Sequence, residues 1–90
     1  MPVRLNAVEV GRDEALLAFG PPLLGAGAVY CLSHKADLTE AAARLFTGFR
    51  HLDAQAAALG LARIAVMSVP NRGLGRALND RMCRAANRPA

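Results

Sequence analysis

The sequence predicts a small α/β domain, a sheet of about four strands with helices packed on it, in the order β-β-β-α-β-α. Three observations predict it. Ile64, Ala65, Val66, Met67 and Val69 form a nearly unbroken apolar run, the pattern of a strand covered on both faces rather than one. Pro70-Asn71 closes that run, and Gly73 and Gly75 lead into a basic amphipathic helix. Upstream, residues 38–59 repeat apolar side chains at alternating three- and four-residue steps, which is helical spacing.

The remaining elements follow in order. Val3, Leu5, Ala7 and Val8 predict a first strand near residues 3–8, with Gly11-Arg12-Asp13 as its turn. Ala15 to Phe19 form a second apolar run, stopped by Gly20-Pro21-Pro22 because proline cannot donate to a sheet ladder. A parallel crossover between neighbouring strands takes about a dozen residues or more. The short link between these two strands therefore leaves two arrangements, an antiparallel pair or two strands set apart in the sheet. Leu23 to Gly27 is a loop, Ala28 to Leu32 a third strand, and Ser33-His34-Lys35-Ala36 the exit from it.

Asp37 stands where a helix cap is needed, and Glu40 three residues on would complete a capping box. The helix places Leu38, Ala42, Leu45, Phe49, Leu52, Ala56 and Leu59 on a dry face, with Glu40, Arg44, Thr47, His51 and Gln55 on the wet one. Gly60 ends it, and Gly48 within it marks a close approach to the sheet. Strand, helix and strand over 28–69 form a crossover expected to be right-handed with its strands parallel. In the last helix Leu74, Leu78, Met82 and Ala85 are expected inward, while Arg76, Asp80 and Arg84 can pair along the outer face. Residues 1–86 form one domain, and 87–90 read as a frayed tail.

Ninety residues leave no room for a second core, and a chain that is 53% hydrophobic but 4% aromatic must pack with Leu, Val, Ile and Ala. No apolar stretch approaches a membrane span and the first residues do not resemble a secretory leader, so a cytoplasmic protein without membrane contact is expected. Charge is uneven. Residues 1–43 carry three cations against five anions, whereas 44–90 carry eight arginines against Asp53 and Asp80. The second half therefore offers a side suited to a polyanion, through Arg72, Arg76, Arg81 and Arg84. No aromatic residue interleaves with those arginines to stack bases.

Candidate chemistry is sparse. Cys31 and Cys83 belong to no paired-cysteine motif and are expected to be buried free thiols. His34 and His51 have no partner at metal-ligand spacing, Ser33 lacks the orienting acid of a nucleophile set, and the acids read as scattered over outer faces. No catalytic residue and no metal site are predicted. The turn after the buried strand is the one anion candidate: Asn71, Arg72, Gly73, Gly75 and Arg76 could surround a phosphate with bare backbone amides, or form a plain strand-to-helix turn.

VRLNA at 3–7, EALLAFGP at 14–21, AARLFTGFRHLD at 42–53 and IAVMSVPNRGLGRALNDRM at 64–82 together resemble the C-terminal domain of bacterial threonylcarbamoyl-AMP synthases. The resemblance spans nearly the whole chain. Ser68 where the family commonly has proline, Arg44 for a usual asparagine, and extra helix at Gln55 to Ala58 depart from it. The resemblance implies a Rossmann-like accessory domain beside a YrdC-like catalytic domain, a nucleotidyltransferase that uses ATP, and Mg with it, to condense threonine and bicarbonate for tRNA modification. A linker crosses the active site in such enzymes, and this chain is expected to begin after it. The function it implies is that of a noncatalytic companion that docks on the catalytic domain and helps gate its nucleotide pocket. The residues also allow a free-standing phosphate or nucleotide module, or weak RNA binding, although direct tRNA contact is not expected.

Overall fold

The computed structural model describes residues 2–86. Six elements follow the predicted order: β1 (Val3–Ala7), β2 (Glu14–Ala18), β3 (Ala28–Cys31), α1 (Leu38–Leu59), β4 (Arg63–Met67) and α2 (Leu74–Ala86). The expected frayed tail, 87–90, lies outside the described residues.

All strand pairs are parallel, in the sheet order β1-β4-β2-β3. The first two strands are thus set apart, with β4 between them. That is the second of the two arrangements the short link allowed. β2 and β3, by contrast, are parallel neighbours joined through residues 19–27 alone. The link can be so short because it needs no helix: Gly20 (φ 78°) and Gly25 (φ 104°) turn it through backbone conformations that L side chains rarely adopt.

Connection direction explains the layers. The chain steps one way across the sheet from β1 to β2 to β3, then back from β3 through α1 to β4. Crossovers of one hand that run in opposite directions must lie on opposite faces. Accordingly α1 and α2 cover Ala15, Leu17, Ile64 and Val66, while loop residues Val10, Leu23 and Ala26 cover Leu16, Ala18 and Ala65. One face is roofed by helices, the other by loops.

α1 begins and ends as its capping residues dictate. Asp37 Oδ1 accepts from the Thr39 and Glu40 amides, and Gly60 closes the helix at φ 70°. The capping box is only half made. The Asp37 amide donates to the buried Ser33 hydroxyl (2.9 Å), which takes the place expected for Glu40.

The dry face is also rotated from the expected stripe: Ala41, Leu45, Gly48, Leu52 and Ala56 are buried, whereas Ala42 and Leu59 are exposed. Gly48 is the reason. A methyl group there would meet the Tyr30 ring at 2.9 Å and Leu17 Cδ1 at 3.1 Å, so α1 rests on the sheet through a residue without a side chain. Gly48→Ala should therefore forfeit its gain in helix propensity and destabilise the domain by about 1 kcal/mol, read as a lower urea midpoint. A higher midpoint would show that the Tyr30 ring yields freely.

In α2, Gly75, Leu78 and Met82 are buried, but Leu74 is largely exposed, against expectation. Helix periodicity alone cannot distinguish Leu74 from Gly75. Close packing of the helix start against Pro70 selects the glycine.

Candidate functional site at the carboxyl edge

In an open parallel sheet, ligands collect beyond the carboxyl ends of strands whose onward connections diverge to opposite faces. β1 and β4 are such neighbours here: β1 exits into the loop layer and β4 into α2. Between them and α2 lies a cleft of about 570 Å³, within the range of small-molecule sites. Leu5, Val66, Met67, Val69 and Met82 form apolar walls, and Asn71, Asn79 and Arg76 reach the cleft from the turn and α2.

Local chemistry fixes this corner. Asn79 donates from its side-chain amide to the Val69 carbonyl (3.0 Å) and, at 3.5 Å, to Asn71 Oδ1. The strand exit and the turn are thereby tied to α2. Asn6, on the β1 side, has φ 55°, and the β1–β4 register shifts between Arg4 and Ala7. Asparagine tolerates that left-handed conformation better than most residues. The bulge resets alternation, so Ala7 packs in the loop-side cluster with Leu16 and Ala65 while Asn6 lines the cleft.

The five residues predicted around an anion are not equivalent. Asn71 and Arg76 line the cleft, whereas Arg72 and Gly73 are exposed on the turn. The Gly75 amide donates to the Arg72 carbonyl (2.9 Å) and that of Arg76 to the Gly73 carbonyl (3.2 Å). These two donors are already engaged within the turn. Gly75 is needed for packing, since a methyl group built on it would clash with the Pro70 carbonyl group.

Among the four arginines set apart for RNA, all exposed, Arg81 borders a second groove between α1 and α2, and Arg84 pairs with Asp80 at 3.2 Å. The expected run of pairs stops there. Arg76 has no carboxylate within salt-bridge distance among the described residues.

Cys31 is half-buried and Cys83 exposed, so the expectation of two buried thiols is corrected; both are free. Residue type does not decide this: Cys31 ends the edge strand β3, and Cys83 falls on the exposed side of α2. His34 is exposed, and His51, also exposed, lies against Tyr30 with ring centroids 5.5 Å apart. Among the described residues no group of three or more His, Cys, Asp or Glu side chains could hold a metal ion, and no helix is long and apolar enough to cross a membrane.

One polar cluster escaped the sequence reading. Glu14, expected on an outer face, is buried at the start of β2, where it accepts from Arg4 Nε and Nη2 (both 3.0 Å) and the Gly11 amide (2.9 Å). Arg63 stands 3.5 Å from it and also meets Asp13 at 3.5 Å. The hydrogen bond from Arg4, more than offsetting burial and aided by Gly11 and Arg63, lowers the Glu14 pKa from 4.5 to about 2. A signal was available. Arg4 and Arg63 lie near the starts of their strands, as Glu14 does, and adjacent strand starts share one end of a parallel sheet. The cluster holds that end together, opposite the cleft.

Fold and corner together define a small Rossmann-like α/β domain with a cleft on the carboxyl edge of a parallel sheet. Residues 4–87 match the family model described as threonylcarbamoyl-AMP synthase, C-terminal domain, and the chain belongs to that family. Membership ties it to threonylcarbamoyl-AMP synthase and so to tRNA modification. Neither the curated proteins nor the solved structures contain a match.

Proposed function

We propose that this chain is the noncatalytic companion of a YrdC-like catalytic domain, docking on it and helping to gate its nucleotide pocket. The match of residues 4–87 to the C-terminal domain of threonylcarbamoyl-AMP synthase carries the reading. ATP, and Mg with it, would be held by the catalytic partner. The face without helices is the surface we assign to docking. Its loops present Val8 (82% exposed) and Leu24 (93%), and Val29 of the edge strand β3 is exposed on the same side. Such side chains stay in water unless something covers them.

The test is calorimetric. A YrdC-like domain from a two-domain synthase is titrated with this chain and with the variant V8D/L24D. Saturable one-to-one binding that the variant weakens by roughly thirtyfold or more supports docking through the loop face. No heat with either protein, or equal affinity for both, removes that assignment. Both substitutions fall on exposed side chains, so the variant should unfold at the same urea concentration as the parent.

A further inference from the structure

We propose that the cleft between β1, β4 and α2 binds a small organic oxyanion, a phosphate or carboxylate carried on an apolar or flat body. Three features of the cleft converge on that chemistry, and none depends on the docking reading.

The first is charge. Arg76 and Asp80 are the charged side chains lining the cleft, and Asp80 is held by Arg84 at 3.2 Å. Arg76 has no carboxylate partner among the described residues. Asp80 shares its charge with Arg84, so Arg76 is the cleft's cation left for a ligand, and its fork of N–H donors matches two oxygens of a phosphate or carboxylate.

The second is the placement of neutral donors. Asn71 uses its Oδ1 to accept from Asn79, so its amide NH2 remains a donor at the same wall as Arg76. Asn6 brings a further side-chain amide from the opposite wall, on a bulge at φ 55°. The bulge sets this amide at the lip of the cleft, across from Arg76 and Asn71.

The third is the remaining surface. Leu5, Met67 and Met82 give the cleft an apolar wall that an inorganic ion would leave uncovered. The thioethers adapt to flat bodies and favour contact with aromatic rings. The Gly75 and Arg76 amides take no part, because they are already bonded within the turn.

The side-chain amide resonances of Asn6, Asn71 and Asn79 report occupancy directly. The full chain is titrated with AMP, 3-phenylpropionate and inorganic phosphate, and R76Q is titrated alongside. We expect AMP or 3-phenylpropionate to shift those signals with saturation at or below about 1 mM, inorganic phosphate to act at least tenfold more weakly, and R76Q to lose roughly tenfold or more. Saturation by AMP alone assigns a phosphate ligand; saturation by 3-phenylpropionate alone assigns a carboxylate; saturation by both leaves the shared oxyanion chemistry as the determinant. The proposal is overturned if neither organic probe saturates by about 10 mM, if R76Q binds as the parent does, if inorganic phosphate binds as tightly as the organic probes, or if the shifts centre on the α1–α2 groove around Phe46. Arg76 is exposed, so R76Q should retain the fold.

Discussion

Gly75→Ala should destabilise the domain by about 3 kcal/mol, even though alanine is the better helix former by roughly 1 kcal/mol. The new methyl group would clash with the Pro70 carbonyl oxygen, which is backbone and cannot rotate away as a side chain could. Either the turn of residues 70–73 or the first turn of α2 must move. Movement of the helix start would disturb its contact with Leu38 of α1 and carry Arg76 and Asn71 away from the cleft. Gly73→Ala is the matched control. Gly73 has φ 54° and open space where its methyl would lie, so that variant bears only left-handed strain, about 1 kcal/mol. Urea unfolding of the pair measures the difference. Equal losses would show that the glycine turn serves backbone conformation alone.

Glu14→Gln should cost about 2 to 3 kcal/mol near neutral pH. A buried carboxylate loses its charge while Arg4 and Arg63 remain beside it, and such removals are expensive inside a protein. The loss stays at the lower end of the buried-pair range because both guanidiniums are about 40% exposed and recover hydration. The pH dependence has a definite sign. Because the folded-state pKa of Glu14 is depressed to about 2 from 4.5, its contribution is complete above pH 4.5 and disappears as pH falls from there through about 2. The parent should therefore lose stability over that window more steeply than Glu14→Gln, and the two unfolding curves should converge at the acid end. Parallel curves across the window would contradict the Arg4–Glu14 assignment.

Much of this architecture is legible in the residues because local chemistry specifies it. Asp37 and Gly60 mark the ends of α1 through side-chain capping and a left-handed backbone, neither of which needs tertiary information. The apolar run at Ile64 to Met67 is that of a central strand, and β4 does pair on both sides. Where reading fails, the deciding fact is distant in sequence. Ala41, Ala42 and Ala43 are alike in hydropathy, and only the Tyr30 ring beneath Gly48 determines which of them turns inward. The link between the first two strands left their relation open, because β4, some fifty residues downstream, inserts between them. Glu14 could be read as a surface acid because its partners, Arg4 and Arg63, come from two other strands.

The carboxyl-edge corner was partly legible for the same reason. The strand, glycine and helix order locates it, and Asn71 and Arg76 do line a cleft. What could not be read is the other wall. Asn6 enters the cleft through a one-residue irregularity in an edge strand, and a bulge leaves no regular mark on hydrophobic alternation. Nor does sequence spacing show that the Gly75 and Arg76 amides are satisfied within the turn. With those two amides occupied, the polar groups offered to the cleft include the side chains of Asn6, Asn71, Arg76 and Asn79.

The companion role is tested most directly by pyrophosphate release from ATP in the presence of threonine and bicarbonate, measured with this chain alone, with a YrdC-like catalytic domain alone, and with both together. A companion role entails no turnover by the chain alone and a changed rate when it is added to the catalytic domain. Sustained turnover by the isolated chain, or a catalytic rate indifferent to its saturating addition, would contradict it.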